Sequence, residues 1–205
     1  MLVLCSNGLT GEKLFNEVKR RMKSGKTAAV VVTADNEYKE QNYHVPRTID
    51  ELNRLGLTAE CFDLDKQPPE LLLNYDAVTL IGGNPYYLLD AIRRTNAEPV
   101  LRKLAQNKTL IGWSAGALVC AASLALIDVY SPEMNFLELD DLTALGLWDG
   151  YILPHYSKFI DRYERFEERC QEFEAAHGCE VMRINDREGI IIDYGEVIIC
   201  REKTT

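Results

Sequence analysis

The residues best placed to do chemistry in this chain are a serine between two glycines and a histidine behind a short apolar run. Ser114 stands in Gly112-Trp113-Ser114-Ala115-Gly116, after the apolar segment Thr109-Leu110-Ile111 and before a run of small apolar residues. A strand feeding a helix through Gly-x-Ser-x-Gly exposes its serine on a sharp turn, where the hydroxyl can act as a nucleophile. The plain alternative is a close-packed turn in which the hydroxyl only caps the helix. A serine hydroxyl is a weak nucleophile at neutral pH, so attack needs a base, and imidazole has the suitable pKa. His155, between Pro154 and Tyr156 after Tyr151-Ile152-Leu153, is the candidate that a strand would deliver to the same sheet edge. His44 lies in the loop Gln41-Asn42-Tyr43-His44. His177, beside Gly178 at a polar helix end, suits a cation at the negative end of the helix dipole. Acyl transfer also requires donors for the oxyanion. The amide of Ala115 supplies one, and Gly83 in Gly82-Gly83-Asn84 is the candidate for the second, because glycine lets backbone approach a reacting carbonyl. Asn84, in the same turn, is a candidate substrate contact.

These residues need a frame, and the chain alternates strand and helix in a way that provides one. Strands are expected over residues 2–5, 27–33, 58–64, 76–81 and 109–111, with helices over 10–23 and 49–55, after Pro68-Pro69, from Pro85 to Arg94, after Pro99 and over 115–126. Each strand is followed by a connection long enough for a right-handed crossover, which implies an α/β fold with a mostly parallel sheet and helices on both faces. Both glycine turns fall at the carboxyl ends of strands, where such sheets bind ligands. After Asp140 and Asp141 the pattern is less regular. A helix is expected over 159–176, carrying Tyr163, Phe166, Cys170 and Phe173 on one face and stopped by Gly178. Turn signals at Asn185-Asp186, Glu188-Gly189 and Tyr194-Gly195 suggest that residues 180–201 form antiparallel hairpins at the sheet edge.

Composition narrows the functional classes. A chain of 205 residues with 46% hydrophobic residues suits one domain, and no repeat or linker divides residues 1–205. A net charge of −9 opposes a nucleic-acid backbone. No basic patch precedes an apolar leader and no apolar run reaches bilayer length, so the expectation is a cytoplasmic protein without membrane contact. The cysteines at 5, 61, 120, 170, 179 and 200 show neither Cys-x-x-Cys nor zinc spacing and read as reduced thiols, with no metal implied.

Three segments together resemble the peptidase E family, the aspartyl dipeptidases. Leu80-Ile81-Gly82-Gly83-Asn84-Pro85-Tyr86-Tyr87-Leu88-Leu89 is similar to that family's glycine-rich turn and following helix. Ile111-Gly112-Trp113-Ser114-Ala115-Gly116-Ala117 is similar to its nucleophile turn, and Leu153-Pro154-His155-Tyr156 to its Pro-His-aromatic segment. The resemblance implies a sheet related to the class I glutamine amidotransferases and hydrolysis of short peptides, in the best-known members those with an N-terminal aspartate, without a metal or organic cofactor. It departs from the family at Ile81 and Pro85, where a third glycine and a threonine are usual.

The third member of a triad is open on spacing alone, since many carboxylates follow Ser114. Glu188 resembles the family's late Glu-Gly position and is expected to accept a hydrogen bond from His155. Asp128 is the rival, suggested by a family aspartate in that region. The family's substrate-gripping arginine lies beyond the histidine, but the segment here is shorter. On one helix Arg162, Arg165 and Arg169 would share a face, with Arg162 nearest the base. They could bind an acidic substrate or pair with carboxylates on the same helix, as Asp161 and Arg165 could. A weak or altered aspartate preference is therefore the expectation. A cyanophycinase-like peptidase and a non-catalytic binding protein on the same kind of sheet stay open as alternatives. The sequence leaves oligomeric state open, a homodimer included.

Overall fold

The computed structural model describes residues 1–202. Its main sheet contains β1 (Leu2–Cys5), β2 (Thr27–Val31), β3 (Thr58–Phe62), β4 (Ala77–Leu80) and β5 (Thr109–Trp113), with β8 (Gly189–Asp193) and β9 (Glu196–Cys200), in the order β3-β2-β4-β5-β1-β8-β9. The first five strands run parallel, and β8 and β9 are antiparallel to their neighbours. β1 and β4 are buried at every residue, as is β5, which explains their near-continuous apolar sequence: both faces of a central parallel strand are covered. Along β1, Leu2 and Leu4 enter one core, while Val3 and Cys5 enter the other.

The second of these cores lies under α1 (Glu12–Arg21) and α2 (Val45–Arg54), whose buried faces include Leu14, Phe15, Val18 and Leu52. The first lies under α3 (Pro85–Arg94), α4 (Glu98–Asn107) and the elements after the serine. The sheet and its two helical faces agree with the fold class expected from the alternating pattern.

Three segments depart from the sequence pattern. The helix expected over 115–126 is divided into α5 (Ala115–Cys120) and α6 (Ala125–Asp128). Between them the backbone turns out to bond another loop: Ala122 donates to the carbonyl of Gly150 and Ala144 donates to that of Ala122, while Ser123 Oγ donates to Leu142. The helix expected over 159–176 is likewise two, α7 (Tyr156–Arg162) and α8 (Phe166–His177). The break sets Arg165 at φ 51° and packs Tyr163 and Phe166 against Tyr130, with a 2.6 Å hydrogen bond between the Tyr163 and Ser131 hydroxyls. Periodicity carried across the break because the aromatic spacing is helical on both sides of it. Finally, only the last hairpin of the tail is antiparallel. β7 (Val181–Arg183) pairs in parallel with β6 (Tyr151–Leu153) in a separate two-stranded sheet. The β8–β9 turn has Tyr194 and Gly195 both at positive φ, as a tight primed turn requires.

Among the described residues no helix is long and apolar enough to cross a membrane, and all six cysteines are free.

Candidate active site

The serine turn is built by steric exclusion. A side chain at Gly116 would put its Cβ 2.1 Å from the carbonyl oxygen of Leu80, and one at Gly112 would stand 2.4 Å from that of Gly116. The two glycines therefore let α5 start directly against β4 and β5. Ser114 between them is held at φ 51°, ψ −116°, a conformation a non-glycine residue rarely adopts. Its backbone is fixed on both sides: the amide donates to Cys5 and the carbonyl accepts from Ala117 and Leu118. Its side chain makes no capping hydrogen bond. The capping alternative weighed for this serine is thus removed, and the hydroxyl is left for other work.

The neighbouring glycine turn follows the same logic. A Cβ at Gly82 would lie 2.4 Å from the Trp113 ring and 3.1 Å from the Ser114 Cβ, so this turn touches the serine turn directly. Gly83 has φ 148°, and a Cβ there would meet the Ala34 carbonyl oxygen at 2.3 Å. Neither the Gly83 nor the Ala115 amide donates a hydrogen bond among the described residues, and both residues line a cavity with Ser114. Asn84 is differently employed. Its Oδ1 accepts from the amides of Tyr86 and Tyr87, capping α3, and its Nδ2 donates to the Met134 carbonyl. Asn84, a candidate substrate contact, is not among the residues lining either cavity beside Ser114.

His155 follows β6 and sits in the left-handed region at φ 58°. Its amide donates to Ser6 Oγ at 2.9 Å, and its Nδ1 lies 2.6 Å from Asp186 Oδ1. Ser6, fully buried at the end of β1, also donates to Asp186 Oδ1 at 2.9 Å, with its Oγ 3.3 Å from His155 Nδ1. Lys158, one turn along α7, reaches the other carboxylate oxygen at 2.5 Å. The hydrogen bond from His155, with those from Lys158 and Ser6, lowers the Asp186 pKa well below the ordinary carboxylate value, against a desolvation that would raise it. Asp186 is therefore an anion, its Oδ1 accepts from Nδ1–H, and the remaining ring nitrogen, Nε2, makes no hydrogen bond among the described residues. His155 and Ser114 line the same two cavities without a direct hydrogen bond between them.

The acid expected to contact the histidine was Glu188, and the structure places it elsewhere. Glu188 Oε2 accepts from the Asn185 amide at 2.9 Å, its own amide donates to the Asn185 carbonyl, and its carbonyl accepts from Ser6. Glu188 closes the turn on which Asp186 is displayed. Asp128, the rival, accepts from the hydroxyl of buried Tyr86 and raises that hydroxyl's pKa, after desolvation. Asp186 was missed because its part depends on Ser6, 180 residues away. The sequence signal was the Asn185-Asp186 turn, read only as a turn.

The other histidines separate cleanly. His177 bonds the Phe173 carbonyl and stacks on that ring at 4.0 Å, at the end of α8. His44 lines one of the cavities, edge-on to Trp113 at 5.2 Å, and desolvation followed by the charge of Arg47 lowers its pKa. Among the described residues it has no carboxylate partner. Of the arginines, Arg165 pairs with Glu168 and Glu172 on α8, the carboxylate pairing left open for it rather than a substrate contact, and it lines neither cavity beside Ser114. The break between α7 and α8 also ends the shared face with Arg169. Arg162 lines both cavities, its guanidinium 5.3 Å over the Tyr163 ring, and it has no ion-pair partner among the described residues.

The cavities adjoining Ser114 measure about 340 and 410 Å³. A larger one, about 580 Å³, lies at the opposite end of the sheet beside Met1, Asp76 and Thr109, away from these side chains. Among the described residues it is the smaller pair that brings together the Ser114 hydroxyl, the oriented imidazole and the unpaired amides. Among the described residues no group of three or more His, Cys, Asp or Glu is suited to hold a metal.

A strained serine turn at the carboxyl edge of a parallel sheet, sharing its cavities with a histidine held by a carboxylate, is the architecture of a serine-type hydrolase. The chain belongs to peptidase family S51, whose model matches residues 2–200, and it is a serine-type peptidase. It is similar to an uncharacterized peptidase of Listeria monocytogenes, 30% identical over 195 residues covering 92% of each chain. It is 31% identical over 121 residues to a peptidase E of Shewanella sp. strain W3-18-1, covering 58% of this chain and 50% of the relative. Among solved structures, a Listeria monocytogenes EGD-e protein bearing the peptidase E name superposes with a TM-score of 0.77 at 29% identity, covering 98% of both chains. A peptidase from an acI-B1 actinobacterium shares the fold, with a TM-score of 0.68 at 17% identity, over 92% of this chain and 81% of that one.

Proposed function

We propose that this peptidase cleaves short peptides through an acyl-enzyme on Ser114, with His155 as general base and Asp186 as the acid that orients it. The observation that carries the reading is the Asp186–His155 hydrogen bond at Nδ1, which leaves Nε2 as the open nitrogen in a site shared with Ser114. Nε2 takes the hydroxyl proton as Oγ attacks the scissile carbonyl, and the imidazolium that forms is stabilised by the Asp186 anion. The amides of Ala115 and Gly83 receive the developing oxyanion. Nε2 then gives its proton to the departing amine, and water repeats the sequence on the ester. Ser6 and Lys158 act through Asp186: they fix the carboxylate, and Ser6 also holds the His155 amide.

Strict preference for an N-terminal aspartate is not part of this reading. Arg162 is the single member of the arginine trio beside the site, and it stands on the rim of both cavities. The test is hydrolysis of a set of dipeptides by wild type, Ser114→Ala and His155→Ala proteins shown to be folded by circular dichroism. Turnover should vanish in both variants. Substantial turnover by folded Ser114→Ala would remove the mechanism.

A further inference from the structure

The two cavities that meet at Ser114 differ in chemistry. The one of about 340 Å³ is walled by Leu118, Ile127, Tyr130, Met134, Phe159 and Tyr163, of which Leu118, Ile127 and Tyr130 are buried. It also contains the Ser114 turn, Ala115 and Gly83. The one of about 410 Å³ has a mixed lining, with Asn7, Asn42, His44 and Lys158 beside Tyr43, Trp113 and Phe159. Charge enters the first cavity at exposed positions, Glu133 and Arg162, and Arg162 belongs equally to the second.

We propose that the apolar cavity receives a large apolar or aromatic side chain on the acyl-donating residue, so that the substrates are short peptides with residues such as Phe, Tyr or Leu before the scissile bond. The inference rests on the serine-peptidase reading of the same site. The nucleophile and both amides of the oxyanion hole open onto this cavity, so the acyl carbon lies at its mouth and the acyl residue's side chain is the group that can enter. Its volume is at the small end for ligand cavities, enough for one large side chain. An apolar side chain placed there loses water contact and gains aromatic partners. A carboxylate entering the same space loses hydration against an apolar wall. It also meets the like charge of Glu133, and among the described residues lining the cavity its one available cation is a rim arginine stacked on Tyr163. Glu133 suits the free ammonium of an N-terminal residue instead.

The experiment separates binding from catalysis. Dissociation constants of Phe-Gly, Gly-Phe and Asp-Gly are measured by calorimetry on folded Ser114→Ala protein, alongside fluorophosphonate labelling of wild type. Phe-Gly should bind about ten-fold or more tighter than Asp-Gly and Gly-Phe, a loss of preference being read directly in the constants. Met134→Trp, which fills the cavity, should reduce that preference several-fold, and Phe159→Ala, which removes one wall, should reduce it as well and serves if the first variant does not fold. Binding of Asp-Gly equal to or tighter than Phe-Gly would overturn the proposal, as would tighter binding of Gly-Phe or a preference that neither variant changes. A retained Phe-Gly preference with no labelling of wild-type Ser114 would instead support the cavity assignment while refuting the catalytic reading.

Discussion

Ser114 and His155, the proposed nucleophile and base, are held by two different kinds of force. Around Ser114 the restraint is steric and local: buried strand β5, a helix that starts without a spacer, and glycines whose missing Cβ atoms leave room for backbone 2.1 to 2.4 Å from where those atoms would be. Around His155 the restraint is polar and long-range: a short strand, then a left-handed residue tied to the end of β1 and to the turn before β8 by Ser6 and Asp186. The first region has one way to pack. The second is set by a few hydrogen bonds among buried Ser6 and the partly exposed His155 and Asp186. A hydrolase needs the serine fixed on a sharp turn, while its base has to exchange protons and tolerate a changing charge. The division of restraint matches that division of labour.

This contrast can be broken from either side. The largest effect is expected from Ser114→Ala, which should lower kcat by about 10⁴-fold or more with the fold intact, since alanine keeps the small turn and removes the attacking oxygen. Gly116→Ala should act by a different route, lowering stability by about 1–3 kcal/mol or more because a packed backbone must move, visible as a reduced melting temperature. If Gly116→Ala were as stable as wild type, the steric account of the turn would fail.

On the polar side, Asp186→Asn should lower kcat by about 10³–10⁴-fold with a much smaller change in KM, through loss of the correct tautomer and of the anion facing the imidazolium. Glu188→Gln should cost less, because a neutral amide oxygen can still accept from the Asn185 amide, and Asp128→Asn should be mild. A larger loss at Glu188 than at Asp186 would reverse the assignment of the acid. Ser6→Ala is expected to fall below Asp186→Asn, at about ten-fold in kcat, since one hydrogen-bond donor to Asp186 is removed and others remain. Threonine at this position should restore more activity than alanine.

The smallest effect concerns stability against acid. The Asp186 pKa is lowered in the folded protein, so its contribution to stability is present above the ordinary carboxylate value and disappears as pH falls through the folded value. Denaturant midpoints of wild type should therefore decline more than those of Asp186→Asn as pH is lowered below about 4. Parallel curves would mean that Asp186 contributes no pH-linked stability.

The same contrast decides what could be read from residues alone. The serine turn, the glycine turn beside it and the parallel frame are consequences of local sterics and periodicity, so Gly82, Gly83, Gly112 and Gly116 announce themselves in sequence. His155 was legible because few histidines compete and one follows an apolar strand. Asp186 and Ser6 were not legible, since nothing in either neighbourhood says that the end of β1 and the turn before β8 converge on one imidazole. The helix breaks after Cys120 and Arg162 were hidden for a related reason: loop 142–150 and the Tyr130 aromatic cluster, both distant in sequence, outbid continued helix at those points. Arg165 and Asn84 show the converse, polar residues of suitable type that the fold occupies with neighbours.

The central claim, that Ser114 is a nucleophile activated by His155, is tested most directly by intact-mass and peptide mass spectrometry after reaction with a fluorophosphonate. Wild type should acquire one adduct, located on Ser114, at a rate that falls steeply in His155→Ala and Asp186→Asn and stays closer to wild type in Glu188→Gln. Folded wild-type protein that takes up no adduct, or takes it up at another residue, or reacts equally fast without His155, would contradict the account.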